Sequence, residues 1–260
     1  MAEHPFPTLG GVRSADDVRE VIRLSDAGHS RAEIASRVGV ARSTVRRWLD
    51  GAPSDLLASR ERTSQAGLID GLDELAYAYL LGQYLGDGSI DLVRSTFRLR
   101  ITCCDSYPAI VRECVEALSR VKPGAKVSLQ RREGCTDVCS YWLQWPRLLP
   151  HGDGGPKHRR TIALADWQRL VAIDRYPQQF LRGLIHSDGW RGLNRVRGAN
   201  GQSYAYTRYQ FSNRSDDIKQ LFIDACDRLG IETRRMNAVT ISVATRRGVE
   251  RLDAFVGPKR

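Results

Sequence analysis

Lysine is scarce in this 260-residue chain. Only five (Lys122, Lys126, Lys157, Lys219 and Lys259) stand among 40 basic residues, and the other 35 are arginine. Long apolar runs are missing too. No stretch reaches the about 18 apolar residues of a membrane-spanning helix, so no span is expected. The opening MAEHPFPTLGGVRS lacks a basic-then-apolar pattern, so no signal peptide is expected. An acidic surplus is lacking as well. Asp and Glu number 30 and the formal charge is +10, which argues against an acidic partner-binding role and favours a polyanionic partner. Six cysteines (103, 104, 114, 135, 139 and 226) without a leader do not suggest a disulfide framework. Cys135 and Cys139 can be drawn into a zinc site with His151 and His158. Their spacing fits no zinc finger, and free thiols, some buried, are the better reading. An apolar fraction of 42 % is enough for a real core, in one or two domains.

The charge is unevenly placed. Residues 155–260 hold 20 basic against ten acidic residues, whereas residues 1–154 hold 20 of each. The surplus therefore lies wholly in the C-terminal stretch, as expected of a nucleic-acid-binding region.

Residues 14–51 read as three short helices. Val18, Val21, Ile22 and Leu24 give the first an apolar face, and Gly28 breaks it. Ser30 and Glu33 form a capping box that starts the second, with Ile34, Ala35 and Val38 inward. Gly39 supplies the turn and Val40 plugs the core. The third runs from about Arg42 to Leu49 with Val45, Trp48 and Leu49 inward. That leaves Arg42, Ser43, Arg46 and Arg47 outward, beside Thr44. Arginine at such positions can pair with guanine, and Ser43 and Thr44 can meet phosphate or bases. The segment HSRAEIASRVGVARSTVRRWL resembles the helix-turn-helix of resolvases, transposases and many bacterial regulators, which implies binding to duplex DNA. Residues 52–72 read as a linker with about one helical turn. Their AGLIDG string has no strong apolar helix before it and is taken as chance.

Two later blocks share one design. Residues 73–90 read DELAYAYLLGQYLGDGSI and residues 178–190 read QQFLRGLIHSDGW, in register at an offset of 101. Gly82 and Gly86, like Gly183 and Ser187, are four apart, so small residues share a face and two helices can approach closely. Gly88 and Gly189 suit the left-handed residue that ends a helix. Asp87 and Asp188 then sit at helix C-termini, where the macrodipole is negative. Packed side by side, such helices bring two carboxylates together and raise a pKa. A divalent cation relieves both problems, and carboxylate oxygens favour Mg²⁺.

The paired blocks resemble the LAGLIDADG motifs of homing endonucleases, in the single-chain form that carries two copies. The resemblance covers residues 73–257, in halves of about 73–150 and 175–257. It implies an α+β fold, a pseudo-symmetric duplication of α-β-β-α-β-β, preceded here by the small helix-turn-helix domain. It implies a monomer with an internal pseudo-twofold axis that cuts double-stranded DNA at a specific sequence. Asp87 and Asp188 are then the catalytic residues, ligating Mg²⁺ (or Mn²⁺) together with Gly86 and Ser187. In-line attack by water leaves a 5′-phosphate and a 3′-hydroxyl. The family usually adds a basic residue, often lysine, near each metal. Lys157, in the loop HGDGGPKHRR, and Arg246 with Arg247 are the candidates, and Gly257-Pro258-Lys259-Arg260 reads as a tail.

The rest of the chain repeats as well. Phe97–Thr102 and Tyr209–Ser212 alternate as strands, and Pro108–Leu118 and Asp217–Leu229 read as helices. Strand pairs Lys126–Arg131 with Tyr141–Trp145, and Arg235–Asn237 with Thr240–Ala244, follow them. The strand–helix offset is near 110 against 101 for the motifs, so about nine extra residues fall in the hairpin Arg191–Thr207. Two such sheets suit a saddle over duplex DNA. Candidate contacts are Arg98, Arg100, Arg131, Arg208 and Gln210 on strands, and Arg191, Arg195, Arg197 and Asn200 on the hairpin. A second reading is a transcription regulator that keeps the LAGLIDADG fold without cutting. A bacterial family of sporulation regulators joins the same two parts in reverse order. Either reading places the protein in a bacterial cytoplasm, on DNA and off membranes.

Overall fold

The computed structural model describes residues 15–50, 65–94, 96–152, 155–197, 201–257 and 259. The chain divides between Gly71 and Leu72 into two compact units. In the first, α1 (Ala15–Asp26), α2 (Arg31–Val38) and α3 (Arg42–Asp50) are followed by the short α4 (Gln65–Ile69). Val18, Val21 and Leu24 from α1, Ile34 and Ala35 from α2, and Val45 and Trp48 from α3 bury one small core. Ser30 starts α2 as the capping box predicts. Its Oγ accepts from Glu33 N at 3.3 Å, and its own N donates to Glu33 Oε2 at 2.8 Å. Gly39, at φ +66°, takes the left-handed conformation that turns the chain toward α3.

The second unit opens with α5 (Glu74–Asp87), β1 (Gly88–Val93), β2 (Thr96–Cys104), α6 (Pro108–Val121), β3 (Val127–Arg132), β4 (Cys135–Tyr141) and α7 (Trp145–Leu148). A 3₁₀ turn (Lys157–Arg159) and α8 (Asp166–Arg169), continued by a π-helical turn (Leu170–Arg175), lead to the second copy. That copy is α9 (Pro177–Asp188), β5 (Gly189–Arg197), β6 (Ser203–Ser212), α10 (Asp216–Arg228), β7 (Arg234–Arg235), β8 (Thr240–Val243) and α11 (Arg246–Asp253). Each copy builds a four-stranded antiparallel sheet, in the orders β1-β2-β4-β3 and β5-β6-β8-β7. The same order twice is the duplicated α-β-β-α-β-β fold. The longer second hairpin is there as well. Gly88 pairs with Ile101 and Gly189 with Phe211, so the second hairpin spans nine more residues.

Alternation decides which face of each sheet is covered. In β2, Leu99, Ile101 and Cys103 point to the helices and are buried. Tyr209 and Phe211 do the same in β6. The opposite faces are polar. Between the sheets' helices runs the pair α5–α9. Residues 76–85 of α5 are all buried, so it is covered around its whole circumference, and Gln83 is the one amide among them. Each fully buried Leu of the pair, such as Leu80, Leu81 and Leu184, contributes about 1.5–3 kcal/mol.

Two expectations fail here. The glycines after the motifs are not left-handed: Gly88 has φ −89° and Gly189 φ −94°, both extended. Glycine is required for another reason. The strand leaves so close to the helix that a Cβ on Gly88 would lie 2.5 Å from Tyr84 Cα, and one on Gly189 2.6 Å from Ile185 Cα. The fourth strand is also earlier than expected, at Cys135–Tyr141 rather than Tyr141–Trp145. Gly134, at φ +72°, closes the β3–β4 hairpin at once, and Trp145 instead begins α7.

Candidate active site

Small residues let α5 and α9 touch backbone to backbone. A Cβ on Gly82 would stand 2.5 Å from Phe180 O and 2.7 Å from Leu184 N. One on Gly183 would stand 2.3 Å from Tyr79 O, and one on Gly86 2.5 Å from Ser187 Cβ. Helices this close end together, so Asp87 and Asp188 face each other across the pair. Asp87 lies at the open side and Asp188 is half-buried. Crowding by protein, then the charge of Asp188, pushes the Asp87 carboxyl up to about 6, against the pull of Lys157 and Lys259. Desolvation raises Asp188 too, while an Asn213 Nδ2 hydrogen bond at 2.7 Å, Lys157 and Lys259 oppose it. Asn213, just past β6, was not anticipated from sequence.

Each helix end also carries a lysine. Lys157 Nζ donates to Gly86 O at 2.7 Å, to Gly88 O at 2.8 Å and to Tyr84 O, and lies over the Tyr84 ring. Desolvation draws it down to about 8, although Asp188 and Asp87 hold it up. Lys259 Nζ donates to Ser187 O at 3.1 Å and lies over Tyr107. Desolvation lowers it as well. Gly86 and Ser187 are matching residues of the two motifs, so the lysines form a related pair. The sequence carries a signal for this: Gly-Pro-Lys occurs at 155–157 and again at 257–259. Gly155 (φ +78°) and Gly257 (φ +66°) are both left-handed, a conformation glycine adopts freely. Arg246, the other candidate, belongs elsewhere. It is 93 % exposed at the start of α11 and pairs with Glu250 at 2.9 Å.

Two carboxylates and the carbonyls of Gly86 and Ser187 make an all-oxygen donor set, which suits a hard divalent cation. The Ser187 hydroxyl is occupied inside its helix, donating to Gly183 O and Leu184 O. Among the described residues, no three His, Cys, Asp or Glu side chains are placed to hold a metal ion between them. The set therefore fits a cation whose remaining positions come from water and substrate. Two openings lie near the lysines, and Asp87 lines the smaller of them. One of about 250 Å³ lies beside Lys157 and one of about 60 Å³ beside Lys259.

Strand register sorts the candidate contact residues. Arg98 and Arg100 lie on the polar face of the first sheet, tied to Asp91 at 3.1 and 3.9 Å. Arg208 and Gln210 lie on the matching face of the second, against the Met236 sulfur. Arg98 and Arg208 hold equivalent places, and each has an Nε buried without a hydrogen-bond partner among the described residues. Arg131 does not join them. It pairs with Thr136 on the side that carries Ile101 and Val138, and Gln130 and Arg132 take the polar face. Arg191 is likewise turned inward. It sits beside Tyr209 and forms a two-point pair with Asp253 at 2.6 and 2.7 Å, which Tyr209 Oη joins at 2.6 Å. Arg195 and Arg197 are exposed but share the ladder side of Arg191, opposite Arg208. Asn200 lies outside the described residues, as do 52–64 of the linker. In the first unit, Arg42, Ser43, Arg46 and Arg47 are exposed on α3 and Thr44 is half-buried. Arg46 pairs with Asp50 at 3.3 Å.

Residues 13–52 match the family model of a homeodomain-like domain. No curated protein matches the chain. Among solved structures, it is similar to I-DmoI in complex with DNA and Mn, at 12 % identity and a TM-score of 0.46, over 72 % of this chain and 98 % of that one. It is similar to the LAGLIDADG meganuclease I-AabMI bound to uncleaved DNA, at 12 % and 0.45, over 69 % and 82 %. It is also similar to the homing endonuclease I-WcaI bound to its recognition sequence, at 13 % and 0.44, over 72 % and 83 %. These structures carry names from the family that the two motifs resemble. The likenesses are distant, and the functional reading rests on the chain's own duplicated geometry. No helix among the described residues is long and apolar enough to cross a membrane.

Proposed function

We propose that this chain is a sequence-specific endonuclease for double-stranded DNA, hydrolysing phosphodiester bonds with Mg²⁺ or Mn²⁺. One observation carries the reading: two helix ends meet, each with an aspartate and a backbone carbonyl that accepts from its own lysine. The strands of a duplex are related by local twofold symmetry. A duplicated acid–lysine site can therefore address one phosphate in each strand, which suits a monomer with internal pseudo-symmetry. When bound, the cation polarises the scissile phosphate and activates water. Asp87 and Asp188, with the carbonyls of Gly86 and Ser187, would hold it. Lys157 and Lys259 place ammonium charge beside the acids, where negative charge builds on the phosphate. Lys157, lowered to about 8, keeps its proton at neutral pH but releases it more readily than a free lysine.

Around the site, Arg98, Arg100, Gln130, Arg132, Arg208 and Gln210 present groups to the groove and backbone of DNA. The Arg42, Ser43, Arg46 and Arg47 face of α3 reads a second stretch of duplex. Asp87→Asn and Asp188→Asn variants should keep duplex affinity and lose cutting, as judged by gel shift and by cleavage of a selected target. If the variants lose affinity instead, and the parent never cuts, the chain is a DNA-binding regulator without a working metal site.

A further inference from the structure

The two lysine-bearing segments are held by unlike means. Lys157 reaches three carbonyls of its own helix end, and Arg160 fastens the loop by donating to Pro150 O at 3.0 Å from both terminal nitrogens. Among the described residues, Lys259 makes a single hydrogen bond, to Ser187 O. The chain just before it is held from within the helix layer. Arg182 Nη1 donates to Phe255 O at 2.6 Å and to Val256 O at 2.5 Å. Its Nε and Nη2 donate to the two oxygens of Glu113, on α6, at 3.0 and 2.5 Å. His186 adds a contact to Val256 O at 3.3 Å from Nε2 and meets Tyr79 Oη at 3.1 Å through Nδ1. Gln83 Nε2 donates to the same hydroxyl at 2.8 Å.

This polar assembly exists in one copy of the repeat only. The positions of α5 that match Arg182 and His186 are Leu81 and Leu85, and those of α9 that match Tyr79 and Gln83 are Phe180 and Leu184. All four apolar residues are fully buried or nearly so. Packing of the helix pair therefore needs no guanidinium here. A partly buried ion pair stabilises little on balance, because desolvation offsets the attraction. What Arg182 does that leucine cannot is grip two successive carbonyls three and four residues before Lys259.

We infer that Arg182, fixed by Glu113, is a positioning residue that sets where the Lys259 ammonium meets the Ser187 end of α9. Its consequence for cutting rests on the proposed function; the tether itself does not. The five lysines give an internal comparison. Arg182→Leu and Glu113→Gln variants would be treated, without metal or DNA, with an amine-reactive ester, and each lysine's modification followed by mass spectrometry. Lys259 should react several-fold faster than in the parent, with Lys157 unchanged. Unchanged Lys259 reactivity in the folded variants overturns the inference.

Strand cutting is then read on an end-labelled target. The strand served by Lys259 should be cut about tenfold to a hundredfold more slowly, the scale of a 1 Å misplacement, while the other strand keeps its rate. Nicked duplex accumulates. Equal slowing of both strands marks a structural role and also overturns it. A parent that cuts neither strand refutes the endonuclease reading, and the lysine reactivities still decide the tether.

Discussion

At the scale of single residues, the acids are placed against their own stability. Asp87 is crowded by protein with Asp188 beside it, and its pKa of about 6 lies above the ordinary 3.8. Between those values the folded chain binds more protons than the unfolded one. Its contribution is therefore fully present below about 4 and is lost as pH rises through about 6. Without divalent cations, Asp87→Asn should melt at a higher temperature than the parent at pH 7, with the gap closing as pH falls toward about 4. A variant that is less stable at pH 7 would show that the carboxylate is not strained. Asp87 and Asp188 were legible in the sequence because their repeats preserve both spacing and residue type. Lys259 was not, because its Gly-Pro-Lys repeat is short and its contact to Ser187 crosses 72 residues. The side that Arg191 takes is not legible, because alternation fixes it only once the pairing register is known, and Asp253, its partner, is 62 residues away.

At the scale of elements, the α5–α9 contact is set by volume. A methyl on Gly86 meets mainly the Ser187 side chain, at 2.1 Å from Oγ and 2.5 Å from Cβ. Gly86→Ala should destabilise by about 1–3 kcal/mol. Adding Ser187→Gly removes the obstructing atoms and should restore most of the loss in thermal melts, although glycine's greater freedom in a helix takes back about 1 kcal/mol. Gly82→Ala meets backbone at Phe180 and Leu184, so no side-chain change should rescue it. Helices were well read from periodicity and caps, as the Ser30–Glu33 box shows. Strands were read less well where residues on both faces are buried. Thr136 to Ser140 in β4 are all covered, so no apolar–polar alternation marks them.

At the scale of the whole chain, duplication is imperfect in a way that bears on the target. The β5–β6 ladder has three more residue pairs than β1–β2. At about 3.4 Å per residue that adds roughly 10 Å, or about three base pairs of duplex. A nuclease-protection footprint should reach about three base pairs farther from the cut centre on one side, and a symmetric footprint would contradict it. Most of the surplus positive charge of residues 155–260, 14 basic against eight acidic residues over 175–257, belongs to the half with this longer hairpin. The most direct test of the acid–lysine centre is a selection from a randomised duplex library, run in Ca²⁺ and separately in Mg²⁺, with the ends of bound DNA sequenced. Enriched sites should stay intact in Ca²⁺ and be cut at a fixed offset in both strands in Mg²⁺. Enriched sites that remain whole in Mg²⁺ would contradict it and leave a protein that reads DNA without cutting it.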